Sequence, residues 1–183
     1  KEKKTVLIAG GGIGGMQAAL TCAGRGHNVI LCEKNDRLGG ALRCEEKVPF
    51  KHKLDDYLNG QARAIDKAGI DLRLNTEVTP EYAESIGADV IISALGARPV
   101  KPPIPGIDGT IVLSAEDAYY HPEKAGERVA ILGGGLVGIE LGLYLSMLGR
   151  QVTVIEMLDH ISDGGNFLHV LGLKVEMKKQ KLD

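Results

Sequence analysis

The sequence has no C-x-x-C pair, no apolar run of membrane-spanning length and no surplus of charge of one sign. Each absence closes a class of function. The three cysteines, Cys22, Cys32 and Cys44, stand apart, so dithiol chemistry is not expected. Cys22 falls in a helical pattern and Cys32 in an apolar run, and both are expected to be small core residues. A net charge of −2 gives no electrostatic case for nucleic acid or an anionic membrane as partner. The opening Lys1-Glu2-Lys3-Lys4 lacks the apolar centre of a signal peptide, and the cytoplasm is the expected compartment. His27, His52, His121, His160 and His169 are scattered without metal-ligand spacing and are expected at the surface. No metal site and no general acid or base is read from them. With 44% hydrophobic and 25% charged residues, the 183 positions suffice for an ordinary core, in one domain or two small ones.

What the chain does hold is organised around residues 5–34. Val6-Leu7-Ile8-Ala9 carries no charge and reads as a strand buried on both faces of a parallel sheet. Gly10, Gly12 and Gly15 follow in the spacing G-x-G-x-x-G. A helical pattern runs over residues 13–24, with Met16, Ala19, Leu20 and Ala23 on one face, and Gly26 ends it. A second apolar run, Val29-Ile30-Leu31-Cys32, stops at Glu33. That acid follows Gly10 at about the 20-residue distance of a dinucleotide fingerprint. Gly10 permits the tight turn, Gly12 lets backbone approach a pyrophosphate, and Gly15 lets helix pack on strand. The helix N-terminus offers free N–H groups and the positive end of its dipole to phosphates. Glu33 is placed for a ribose 2′-hydroxyl.

Beyond it, Gly39 and Gly40 suit either a second close approach of backbone to ligand or an ordinary turn. Residues 53–68 have helical spacing, closed by Gly69. Ile70, Leu72 and Leu74 alternate with polar residues and read as a half-buried strand. Thr79 and Pro80 mark a helix start, and that short helix is expected to end near Gly87. Residues 89–96 read as another buried strand, whose Gly96 lies at the carboxyl end, where open α/β sheets hold ligands. Pro99, Pro102, Pro103 and Pro105 make residues 98–106 a stiff extended connection. Ser114 then caps a helix reaching Tyr120.

The opening pattern now recurs. Val129-Ala130-Ile131-Leu132 is a strand, Gly133, Gly135 and Gly138 repeat the glycine spacing, and a helix is expected through Leu148. Gly149 stands for Gly26, Val152-Thr153-Val154-Ile155 for the second strand, and Glu156 for Glu33, all in register. One fingerprint can arise by chance; two in register mark two dinucleotide sites. Glu156 would repel a 2′-phosphate, and residues 157–160 hold no arginine or lysine, so NADH is expected over NADPH. Glu140 is read in the first turn of the repeated helix, either favouring its dipole or touching the nicotinamide end of the cofactor.

Two tandem fingerprints separated by a strand ending in Ala-x-Gly resemble the two-dinucleotide-binding flavoproteins, the FAD and NAD(P)H module of pyridine nucleotide-disulphide oxidoreductases. The resemblance covers residues 4–160. It implies FAD held by Gly10, Gly12, Gly15, Glu33 and Lys34, with Gly39 and Gly40 near the flavin pyrophosphate. Ala94 and Gly96 match the family's Ala-Thr-Gly, with Leu95 in place of the threonine, so only backbone contacts carry over there. Val78 matches an adenine contact. Gly133, Gly135, Gly138, Glu140 and Glu156 match the nicotinamide site. The wording of residues 96–158 is similar to the C-terminal module of the NADH:flavin oxidoreductases, of the 2,4-dienoyl-CoA reductase, 2-enoate reductase and trimethylamine dehydrogenase type. There the module follows an FMN-binding barrel and an iron–sulphur cluster, which would lie outside this sequence.

The expected fold is α/β, with two tandem Rossmann-like three-layer domains, the second and the return to the first incomplete. Residues 1–100 would form the FAD domain, 101–113 a Pro-rich linker and 114–183 the nicotinamide domain. Gly164 and Gly165 and a strand over 173–177 would begin its completion. The chain is thus expected to be an excised portion of a flavoprotein oxidoreductase, an electron-input module passing hydride from NAD(P)H to FAD. A stand-alone NADH:acceptor flavin reductase and a non-catalytic dinucleotide-binding fragment are the alternatives.

Overall fold

The computed structural model describes residues 2–161, 166–180 and 182. The chain divides into two compact units, Lys1–Glu46 with Phe50–Pro102, and Lys47–Pro49 with Pro103–Asp183.

The first unit is built on a parallel sheet. Its elements are β1 (Thr5–Ala9), α1 (Ile13–Gly24), β2 (Asn28–Cys32), α2 (His52–Lys67), β3 (Asp71–Arg73), α3 (Pro80–Ile86) and β4 (Val90–Ser93). The strand order is β3-β2-β1-β4, every pair parallel. Val6 lies opposite Val29 and Val90, and Ala9 opposite Cys32 and Ser93. Strand β1 is central and buried on both faces, which is why it tolerates no charge. Met16 and Ala19 of α1 and Leu58 and Ile65 of α2 pack on Val6, Ile8, Val29 and Leu31. Thr79 caps α3 by accepting the Tyr82 N–H at 3.2 Å, Pro80 occupies its first position and Gly87 ends it at φ +62°.

Two strand expectations need correction. Strand β4 is an edge, not a buried strand: Val90 is 37% and Ile91 53% exposed. Its apolar run matches a core strand because sequence alone cannot count neighbours. Strand β3 is only three residues long, and its Leu72 is 37% exposed.

The second unit comprises α4 (Ala115–Tyr120), β5 (Arg128–Leu132), α5 (Leu136–Met147), β6 (Gln151–Ile155) and α6 (Phe167–Gln180). Strands β5 and β6 pair in parallel with Val129 opposite Val152. Apart from Glu140 and Ser146, helix α5 is apolar all round, and Ile139, Leu143 and Leu145 are almost fully buried. Tyr119 of α4 stacks on Tyr144 with ring centres 5.8 Å apart. Ser114 caps α4 by accepting the Asp117 N–H at 3.0 Å. The strand expected over 173–177 is absent: those residues belong to α6. Val170 and Leu173 are buried at helical spacing, and that face outweighed the local alternation of Leu173-Lys174-Val175-Glu176-Met177. Gly164 and Gly165 lie outside the described residues. No helix among the described residues is long and apolar enough to cross a membrane.

Candidate dinucleotide sites

Each unit carries one glycine loop between a strand and a helix. In the first, Gly10 turns the chain off β1 at φ +102° and donates its N–H to the Cys32 carbonyl at 2.8 Å. A Cβ on Gly10 would strike the Ala94 carbonyl, and one on Gly15 would overlap the Gly10 carbonyl oxygen. Glycine is therefore required at both by backbone packed on backbone. Gly12 is the N-cap of α1, and its carbonyl accepts the first helical bond, from Met16, at 2.9 Å.

Glu33 directly follows β2 and is 4% exposed. A buried carboxylate needs donors, and it has three. The Gly11 N–H reaches Oε2 at 2.7 Å, while the Asn35 N–H and side-chain amide reach Oε1 at 2.9 and 2.7 Å. A carboxylate accepts about four hydrogen bonds. One position on Oε2 thus stays open for a hydroxyl donor.

The second loop repeats this geometry. Gly133, at φ +110°, donates to the Ile155 carbonyl at 2.9 Å, and Gly135 caps α5. A Cβ on Gly138 would overlap the Gly133 carbonyl oxygen. Gly134 donates to Glu156 Oε2 at 2.7 Å and Leu158 to Oε1 at 3.0 Å. The Leu158 N–H, then that of Gly134, hold the Glu156 carboxyl below the usual carboxylate range.

The helix caps test whether a dinucleotide fits. Helices α3 and α4 are closed by Thr79 and Ser114 side chains. Helices α1 and α5 start on glycine with no side-chain cap, so their leading N–H groups lack that partner. Gly12 has only Gly40 Cα within 4 Å of its would-be Cβ, and Gly14 has nothing. An uncapped N-terminus beside open backbone and a carboxylate with a spare acceptor position is the donor and acceptor set of a nucleotide diphosphate and its ribose.

The structure brings Gly10, Gly12, Gly15, Glu33, Gly39, Gly40 and Ala94 together at the carboxyl ends of β1, β2 and β4. Lys34 and Gly96 are exposed. Val78 is half-buried in a loop held beside Glu33 by the Thr76 N–H on the Glu33 carbonyl at 2.8 Å. Gly39 and Gly40 do make a close approach, but to Gly12. Gly39 donates to the Gly11 carbonyl at 2.9 Å, and a Cβ on Gly40 would stand 3.0 Å from Gly12 Cα.

The position of Glu140 along its helix is corrected. The residue lies past the first turn of α5, is 7% exposed, and its Oε1 is 2.9 Å from His169 Nε2 of α6. His169 keeps the surface exposure expected of it while its Nε2 meets this carboxylate. The N–H groups of Gly11 and Gly134 also went unassigned. The runs Gly10-Gly11-Gly12 and Gly133-Gly134-Gly135 signalled them, since the middle glycine falls outside the fingerprint pattern. Among the described residues, no group of three His, Cys, Asp or Glu is placed to hold a metal ion.

Fold and loops together define a dinucleotide-binding α/β protein. Residues 4–167 match the family described as pyridine nucleotide-disulphide oxidoreductase. The chain belongs to that family, one of FAD- and NAD(P)-dependent oxidoreductases. It is 39% identical over 170 residues to a cinnamate reductase of Clostridium sporogenes, covering 92% of this chain and 25% of that protein. It is 38% identical over 164 residues to an NADH oxidase of Thermoanaerobacter brockii, covering 87% of this chain and 25% of that protein. A solved 2-naphthoyl-CoA reductase, in complex with 2-naphthoyl-CoA, superposes with a TM-score of 0.94 at 35% identity, over 100% of this chain and 28% of that one. The chain thus spans about a quarter of the length of these relatives. The likeness is to the C-terminal part of NADH:flavin oxidoreductases of the 2-enoate reductase type.

Proposed function

We propose that the chain is the electron-input module of a flavoprotein reductase, with FAD on the first glycine loop and NADH on the second. The observation that carries this reading is the duplicated loop, each copy with an uncapped helix N-terminus and its own acid. The proposed FAD domain is residues 1–100, the linker 101–113 and the nicotinamide domain 114–183. In the first, the leading N–H groups of α1 receive the pyrophosphate, Glu33 Oε2 accepts a ribose hydroxyl, and Val78 borders the adenine. In the second, α5 receives the pyrophosphate and Glu156 accepts from the ribose. When bound, the nicotinamide supplies a hydride that the flavin accepts. The protein contributes binding and orientation.

Cinnamate and 2-naphthoyl-CoA reductases among the relatives support an unsaturated acid or acyl-CoA as final acceptor; the family resemblance implies that electrons would reach it through an FMN barrel and an iron–sulphur cluster outside this sequence. The test is a flavin absorbance spectrum of the purified chain, followed by calorimetric titration with NADH and NADPH. A flavin spectrum and tighter binding of NADH are expected. Absence of flavin uptake together with absence of NADH binding would defeat the proposal. Tighter NADPH would defeat only the part played by Glu156.

A further inference from the structure

Arg43 is a charged side chain that the nucleotide motif does not use, yet it is only 8% exposed. Burying a guanidinium is unfavourable unless its donors are matched. Its Nε donates to the Leu38 carbonyl at 2.8 Å. Its Nη1 donates to Asp55 Oδ1 at 3.0 Å, with Glu46 Oε2 at 3.4 Å. Glu46 is also held by Arg37, through Nη2 at 2.9 Å and Nη1 at 3.1 Å. Positive and negative groups therefore alternate along Arg37, Glu46, Arg43 and Asp55, beside a cavity of about 620 Å³.

What this ladder encloses is the turn bearing Gly39 and Gly40. Leu38, whose carbonyl takes the Arg43 Nε–H, immediately precedes Gly39. A Cβ on Gly39 would lie 2.6 Å from Arg43 Nε and 3.0 Å from its Cγ. Gly39 is glycine at φ +123° because the Arg43 stem fills the space of a side chain. On the opposite side the same turn bonds to the Gly11 carbonyl and lies against Gly12. A guanidinium that merely decorated the surface would be exposed and contribute little. This one is fixed between α2 and the nucleotide loop.

We infer that Arg43 is a positioning residue of the first nucleotide site, clamping the turn at Gly39 and Gly40 onto Gly12 so that the turn's backbone forms the wall facing the pyrophosphate. The inference rests on reading that loop as the FAD site. The planar fork matters, because Nε and Nη1 serve two acceptors at once, which a single ammonium does not reproduce.

The test uses Arg43→Gln and Arg43→Lys in this 183-residue chain. Three quantities are measured: amide hydrogen exchange at Gly39, FAD affinity by flavin fluorescence, and NADH affinity by calorimetry. Arg43→Gln is expected to speed Gly39 exchange about tenfold and weaken FAD about tenfold, with NADH affinity unchanged within about twofold. Arg43→Lys, which keeps charge and stem, is expected to show about threefold effects and guards against a folding failure of the first variant. Gly39 exchange within twofold of the unmodified chain in both variants overturns the inference. So does faster exchange with unaltered FAD affinity, or an equal loss of NADH and FAD binding, which would mark general unfolding. Should the unmodified chain take up no flavin, the proposed function fails at its first site, while Gly39 exchange still decides whether Arg43 holds the turn.

Discussion

The two glycine loops are the same device in different surroundings. In both, the first glycine donates to the last carbonyl of the neighbouring strand, at 2.8 and 2.9 Å, and the middle glycine donates to the closing acid at 2.7 Å. Around the first loop, Ala94 stands under Gly10, Leu38 over Gly11 and Gly40 against Gly12. Around the second, a Cβ on Gly133 would meet nothing within 4 Å, and one on Gly134 would meet the Glu156 side chain first. The hydrogen-bonded turn is thus set by local sequence, while its packing comes from segments far along the chain. The comparison also separates two reasons for glycine: conformation alone at Gly133, conformation and space together at Gly10.

The largest effects on nucleotide affinity are expected where the loops are alike. Gly15→Ala and Gly138→Ala each drive a methyl into the carbonyl oxygen of the loop's first glycine. Displacing backbone in this way costs about 1–3 kcal/mol. Each variant should lose stability by that order in chemical denaturation and weaken its own nucleotide at least about tenfold. Tolerance at one site and not the other would break the equivalence of the two turns.

Next come the positions where the loops differ. Gly133→Ala meets open space and carries only the unfavourable positive φ, about 1–2 kcal/mol. Gly10→Ala adds the collision with Ala94, a further ~1–3 kcal/mol. Denaturation should therefore rank Gly10→Ala as the more damaging. Equal losses would mean that Ala94 yields freely and the first loop is no more tightly packed than the second.

These contrasts show what was readable from sequence. Both fingerprints, their acids and the helices behind them follow from local spacing, so α1 and α5 fall where the glycines and apolar faces require. The Thr79 and Ser114 caps were legible for the same reason. Ile91 was misjudged as buried because an apolar run does not state how many neighbours its strand has. Helix α6 was misjudged because five alternating residues fit either period, and α5 supplied the surface that chose the helix. Arg43 was invisible because its meaning depends on Asp55 and Leu38 meeting in space.

A smaller effect should separate the two acids. Glu33→Gln leaves one N–H donor facing an amide in a buried site where three had a carboxylate, a loss of about 1–3 kcal/mol. Glu156→Gln does the same at a more open site with two donors, where water can replace the lost bond. Its stability change should be the lesser of the two. Its NADH affinity should fall by about tenfold while its discrimination against NADPH shrinks, since the repelling charge is gone. An unchanged NADH to NADPH ratio would remove Glu156 from cofactor choice.

The smallest effect is a pH dependence carried by the second acid. The N–H groups of Leu158 and Gly134 hold the folded carboxyl of Glu156 below its ordinary value, so the folded state favours the charged form. In the interval between the two values the unfolded chain binds the proton that the folded chain refuses. The resulting stability is complete above the ordinary glutamate value of about 4.3 and is lost as pH falls through the lower, folded value. The stability difference between the unmodified chain and Glu156→Gln should therefore narrow on acidification from about pH 6 to about pH 3. Solvent screening at this half-buried, solvent-reached position keeps the change small. A difference that stays constant across that interval would mean that the two N–H groups bind an acid and an amide equally well, and that Glu156 holds its turn by shape and not by charge.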